Sequence, residues 1–135
     1  MIKSLEHVSP SEYLLATVGA WVKLARAGLT QPELMSFGLE DRLLVDVEEN
    51  GEPRSVLVWC YYAEDRSARV LLGYTWLKWR RQGLYTSLYE AMKEEAKALG
   101  AVKTVGGVMS DNASMLRLAE KQGRKVTAYW IEEIL

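Results

Sequence analysis

The residues with chemistry to offer gather in one stretch, Trp76-Leu77-Lys78-Trp79-Arg80-Arg81-Gln82-Gly83-Leu84-Tyr85-Thr86-Ser87-Leu88. Here a strand-like pattern gives way, after Gly83, to a helical one. Two other helix starts carry a glutamate in the first turn, where the helix dipole favours an anion. This one has none before Glu90. Lys78, Arg80 and Arg81 precede it, so three cations and the unpaired N–H groups of a helix start converge where the chain supplies no anion of its own. That combination suits a phosphate-bearing ligand. The plainer alternative is a solvated turn, and the surroundings decide between the two.

Other reactive groups are scarce. The single Cys60 lies among Val56, Leu57, Val58 and Trp59, far in sequence from the single His7, and reads as a small buried hydrophobe rather than a nucleophile. One His leaves no Ser/His/Asp arrangement and no metal-ligand cluster, so no metal is expected. Seventeen basic and eighteen acidic residues give a formal charge of −1, which argues against a general nucleic-acid-binding surface. No apolar run is long enough to span a membrane, and the start Met-Ile-Lys-Ser-Leu-Glu-His lacks the apolar stretch of a signal peptide, so a cytoplasmic protein is expected.

The 135 residues suit a single domain, 1–135, with no repeat, linker or low-complexity tract. Ile2–Val8 reads as a short strand. Ser9-Pro10-Ser11-Glu12 reads as a capping box opening an amphipathic helix through Leu14, Leu15, Val18, Trp21, Val22 and Ala25, which ends near Gly28. Thr30-Gln31-Pro32-Glu33 repeats the cap and predicts a shorter second helix, closed by Gly38. Three strands follow as an antiparallel meander: from Arg42 to a tight turn at Asn50-Gly51, then Arg54–Tyr62, then Arg69–Trp79. After the Gly83 turn comes a helix with Leu84, Leu88, Met92, Ala96 and Leu99 on one face. Ala101–Met109 is a strand interrupted by Gly106 and Gly107, which permit a bulge or a close backbone approach. Ser110-Asp111-Asn112 caps a last helix ending at Gly123, and Lys125–Leu135 reads as a final strand. The order is β-α-α-β-β-β-α-β-α-β, a mixed α/β sheet in which the third meander strand and Ala101–Met109 lie parallel across a helical crossover.

This order, together with the central motif, resembles the GNAT superfamily of N-acetyltransferases over essentially the whole chain. The family signature is Gln or Arg, two residues, Gly, one residue, then Gly or Ala. Here it reads Arg80-Arg81-Gln82-Gly83-Leu84-Tyr85 and departs at Tyr85, where a small residue is usual. A second match is independent of the first: Asn112 at the end of the next strand and Gly123 at the close of the following helix.

The resemblance implies acetyl-CoA as acyl donor, with its pyrophosphate on the N–H groups of Gln82, Gly83, Leu84, Tyr85 and Thr86 and with Lys78, Arg80 and Arg81 beside it. It implies a pantetheine arm between two splayed parallel strands, bonded by backbone near Leu77 and by Asn112 from the far side. Asn112 is equally readable as a helix cap with no ligand role. The partners would be acetyl-CoA and an amine acceptor of a small molecule or protein.

The family often protonates the departing thiolate with a Tyr seven residues after the Asn, a position held here by Ala119. A thiol leaving group has a pKa near about 8.5 and can depart without an acid at some loss of rate. Tyr85 is the catalytic candidate for that acid, with Tyr89 behind it. Tyr74, in phase with Trp76 and Lys78 on its strand, is the second catalytic candidate, as a base acting through water. Asp46, Glu48, Glu132 and Glu133 are further base candidates, each of them read more readily as a solvated charge. The competing reading is a GNAT-fold protein of weak or no activity that serves as a CoA-binding or interaction module. A final strand at a sheet edge is compatible with a homodimer.

Overall fold

Leu43-Leu44-Val45 and Val56-Leu57-Val58-Trp59 are apolar on both faces of a strand, so they need cover on two sides. They form inner strands of a sheet with helices on both faces. The computed structural model describes residues 1–9, 11–30, 37–108, 112–127, 131, 133 and 134. Within these the order is β1 (Ile2–Leu5), α1 (Leu14–Arg26), β2 (Arg42–Val47), β3 (Pro53–Tyr62), β4 (Ser67–Thr75), α2 (Leu84–Ala98), β5 (Lys103–Gly106) and α3 (Ala113–Lys121). The five strands follow one another across the sheet, β1-β2-β3-β4-β5. The first three pairings are antiparallel, and β4 with β5 is parallel, as the intervening helix requires.

Strand alternation sorts the core into two clusters. Leu43, Val45, Val47, Val56, Val58, Leu72 and Tyr74 face α1, where Ala20 and Trp21 meet them. Leu44, Leu57, Trp59 and Ala68 face α2, which buries Leu88, Tyr89, Met92 and Ala96 against them. Leu88, Met92 and Ala96 are the predicted inner face of that helix, whereas Leu99 lies beyond its last turn and is exposed. None of the described helices is long and apolar enough to cross a membrane.

Several boundaries differ from the sequence reading. α1 begins at Leu14 rather than at the predicted cap, because completely buried Val8 anchors a turn in which its carbonyl accepts from the Ser11 N–H at 2.9 Å. Ser11 Oγ then accepts from the Tyr13 N–H at 3.2 Å. The Asn50-Gly51 turn sits in a longer connection between Val47 and Pro53, closed by the Glu48 N–H bonding to the Glu52 carbonyl at 2.9 Å. β4 ends at Thr75, not Trp79: the Trp76 N–H still bonds to the Arg54 carbonyl, after which Leu77–Trp79 coil into one 3₁₀ turn. β5 is shorter than the predicted strand from Ala101, spanning Lys103–Gly106, while Met109 and, of the predicted cap, Ser110 and Asp111 lie outside the described residues. The predicted second helix falls mostly on residues 31–36, outside the described residues. Of the predicted final strand, Lys125–Thr127 form no strand, and 128–130, 132 and 135 lie outside the described residues.

Candidate active site

Parallel pairing between β4 and β5 runs from Ser67↔Lys103 to Val70↔Gly106 and then stops, although β4 continues to Thr75. Beyond Val70 the two strands part, and the β4 edge at Leu71, Leu72 and Gly73 opens onto a cleft. Gly106, Gly107 and Val108 form its far side, with Tyr85 of α2, Asn112 and Met115 of α3, and Arg124 completing the wall. Leu24, Leu29 and Thr30, at the end of α1, reach the same space.

The N-terminus of α2 borders this cleft. Gly83 is its N-cap with φ of 74°, and Arg81 takes φ of 64°, also left-handed. Such alternation lets successive N–H groups share one concave side, the usual form of a backbone anion site. The first turn carries no acidic residue. Among the described residues, the N–H groups of Gln82, Gly83, Leu84, Tyr85 and Thr86 have no backbone partner, the first helical bond being Ser87 N–H to the Gly83 carbonyl at 3.0 Å. Donors, dipole and positive charge therefore meet at a helix start of 15 residues, long enough for the dipole to be developed.

The cations are not equivalent. Arg81 is exposed at the turn. Arg80 folds back, its Nε donating to the Thr75 carbonyl at 2.9 Å and its guanidinium lying 5.4 Å from the Tyr74 ring centre. It braces the exit of β4 as well as adding charge. Lys78 sits over the Trp79 ring at 4.9 Å, and Leu77 is exposed in the 3₁₀ turn. The strand edge facing the cleft is thus Leu71–Gly73, and Leu77 stands beyond it.

Tyr85 crosses the cleft. A Cβ on Gly73 would lie 3.0 Å from its Oη, so the bare backbone of Gly73 is what admits the ring. Burial pushes the Tyr85 hydroxyl up to about 12, with Arg124 drawing it down and Tyr89 adding to the rise. The group therefore keeps its proton through the neutral range and can donate a hydrogen bond but not act as a base. Tyr89 stacks on it at 6.4 Å and shares a 2.7 Å hydrogen bond with Thr104 of β5. Tyr74 is placed elsewhere, buried in the α1 cluster with its ring edge-on to Trp76 at 5.2 Å. Tyr74 is not among the residues lining the cleft.

Asn112 serves as the cap of α3, its Oδ1 accepting from the Met115 N–H at 3.2 Å. It also lines the cleft, and its side-chain NH2 is the group left to donate there. The two readings of this residue are compatible. Among the other acids, Asp46 is buried and bound to Arg54 at 2.5 Å, and Glu133 is exposed, while Glu132 lies outside the described residues. Cys60 is buried, and its thiol is pushed up to about 11 by burial first and by Asp41 next, which makes it inert packing.

Sequence reasoning missed Gly73, Met115 and Arg124. A glycine in a β4 that otherwise reads as continuous strand was the available signal for the first. Arg124 offered none, because what places it is the close of α3. The Gly123 N–H bonds to the Glu120 carbonyl and the Arg124 N–H to the Ala119 carbonyl at 2.9 Å, with Gly123 at φ of 74°. This Schellman closure turns residue 124 back beside the helix.

Solved structures share the whole architecture. A candidate acetyl transferase from Pyrococcus furiosus superposes with a TM-score of 0.79 over 100% of both chains at 20% identity. The fold is that of the GNAT acetyltransferases. An aminoglycoside N-acetyltransferase in complex with CoA matches 100% of this chain and 98% of its own, with a TM-score of 0.73 at 12% identity. A ribosomal-protein-alanine N-acetyltransferase from Brucella melitensis biovar Abortus matches with 0.70 at 14% identity, again over 100% of this chain and 98% of its own. No protein-family model and no curated protein matches the sequence. At such identities the GNAT likeness is one of fold, and the side chains of this cleft have to be judged on their own geometry.

Proposed function

We propose that the chain is an acyl-CoA-dependent N-acetyltransferase that moves an acetyl group from acetyl-CoA to an amine of a small molecule or protein. The observation that carries this reading is the end of β4–β5 pairing at Val70↔Gly106, which leaves a strand edge open toward a cleft bordered by an acid-free helix start. The diphosphate would sit on the N–H groups of Gln82–Thr86 with Arg81 beside it. The pantetheine arm would run along Leu71–Gly73, with Asn112 donating to it from α3. Bound this way, acetyl-CoA would supply an activated acyl group, and the N–H groups of the strand edge would be the donors available to polarise its carbonyl. Tyr85, protonated at neutral pH, would hydrogen-bond to the leaving sulfur.

One observation favours the second reading, a GNAT-fold protein with little or no turnover. The cleft, with Tyr85 and Arg124 in its wall, encloses about 70 Å³, against roughly 300–1,000 Å³ for ordinary ligand pockets. Binding therefore requires the cleft to widen. The thermal midpoint with and without acetyl-CoA separates the readings, because a ligand at about one hundred times its Kd adds roughly 2.7 kcal/mol to native stability. We expect a clear rise, followed by CoA release in a panel of amines. No rise at millimolar acetyl-CoA would rule out the transferase.

A further inference from the structure

The place where the GNAT family often carries a thiolate-protonating Tyr is occupied by Ala119, half-buried in α3. A methyl group there can neither donate a proton nor stabilise a negative charge. The chain closes back on the backbone of this residue, the Arg124 N–H bonding to the Ala119 carbonyl. From there the guanidinium extends over β5 into the cleft. A Cβ on Gly106 would meet the Arg124 Nη2 at 2.9 Å, so a glycine at 106 is what gives the cation its place. The guanidinium lies 5.0 Å from the Tyr89 ring centre and lines the cleft together with Tyr85, Asn112 and Met115.

No carboxylate pairs with Arg124 among the described residues, whose ion pairs lie elsewhere. Among the described residues, the titratable and charged groups around it are Tyr85, Tyr89, Lys93 and Lys97 on α2, Lys103 on β5 and Lys125 next in the chain. Lys93 is paired with Glu90, and Lys103 with Asp65. Arg124 is thus a permanent cation, set against the Tyr89 ring, on the wall of a cleft whose other described lining residues are neutral.

Resting on the reading of this cleft as the pantetheine path, we propose that Arg124 is a catalytic residue whose guanidinium stabilises the departing CoA thiolate in place of the absent hydroxyl at position 119. In the step it serves, the amine nitrogen forms a bond to the carbonyl carbon, the C–S bond breaks, and its electron pair leaves on sulfur. The ammonium proton passes to water. An arginine does not surrender its proton at these pH values, so it holds the thiolate as an ion pair until the sulfur takes a proton from solvent. Tyr85 donates a second hydrogen bond to the same sulfur and keeps its own proton, because burial raises its hydroxyl.

The test needs no acceptor. CoA is bound to the full chain, binding is verified by calorimetry, and the ultraviolet absorbance of the thiolate is followed against pH. A cation beside the sulfur lowers the thiol pKa by about 1–3 units from its usual value of about 8.5. We expect that depression in the wild type, most of it retained in Arg124→Lys and lost in Arg124→Gln, with thermal melting confirming that both variants fold. Equal thiol pKa values in wild type and Arg124→Gln, with CoA bound to both, overturn the role of Arg124 and leave the transferase reading standing. Absence of CoA binding to the wild type overturns both.

Discussion

Gly73 and Tyr85 compete for one space. The ring of Tyr85 lies where a side chain at 73 would begin, so Gly73→Ala should force one of them out and cost about 1–3 kcal/mol by overpacking. In urea unfolding, Gly73→Ala should lower the midpoint, and adding Tyr85→Ala should recover part of the loss, a coupling that two independent sites would not show. Tyr85 also leaves a mark on pH dependence. Its native hydroxyl is raised from 10 to about 12, so the native state prefers the protonated form. The resulting stability is fully present below pH 10 and is lost as pH rises toward 12. Between those values the thermal midpoint of the wild type should fall more steeply than that of Tyr85→Phe. Identical slopes would mean that the hydroxyl is not desolvated.

Two helix starts carry the site, and they are built differently. α3 uses a side chain for its first turn: Asn112 accepts from the Met115 N–H. Asn112→Ala should therefore cost about 0.5–2 kcal/mol of stability. If the residue also serves the pantetheine, the acetyl-CoA-induced rise in thermal midpoint should shrink by more than this destabilisation explains. α2 uses none, since Gly83 makes no side-chain cap and the first turn has no acid. Thr86→Glu would supply the missing anion. It should raise the stability of the protein alone by about 0.3–1 kcal/mol through the dipole, seen as an unchanged or higher thermal midpoint, while abolishing the response to acetyl-CoA. A variant that lost stability and kept the response would contradict the anion site.

For the whole molecule, one sheet serves two cores. β2 and β3 contribute to the α1 cluster with one face and to the α2 cluster with the other, so neither helix layer has a core without the strands of the other. Trp59, completely buried under α2, should cost about 3–5 kcal/mol when replaced by Ala. The loss should appear as one cooperative transition, with near- and far-ultraviolet circular dichroism falling together. Separate transitions for the two layers would refute this coupling.

The chain read alone already specified the mixed sheet, the meander, the crossover helix and the acid-free turn at Arg80–Thr86. Each of these follows from short-range causes: period-2 and period-3.6 burial, glycine at a left-handed turn, and the choice of residue in a helix's first turn. It specified Asn112 as a cap for the same reason. Tertiary structure alone decided that β4 stops at Thr75 while Leu77–Trp79 coil: the bond from the Trp76 N–H to the Arg54 carbonyl is the last across the sheet, although the alternation of residue types continues beyond it. It decided that Tyr74 belongs to the α1 core, that Tyr85 enters the space above Gly73, and that Arg124 reaches over Gly106. Those placements depend on which side chain another element leaves out, a relation between residues far apart in the chain that no local pattern encodes.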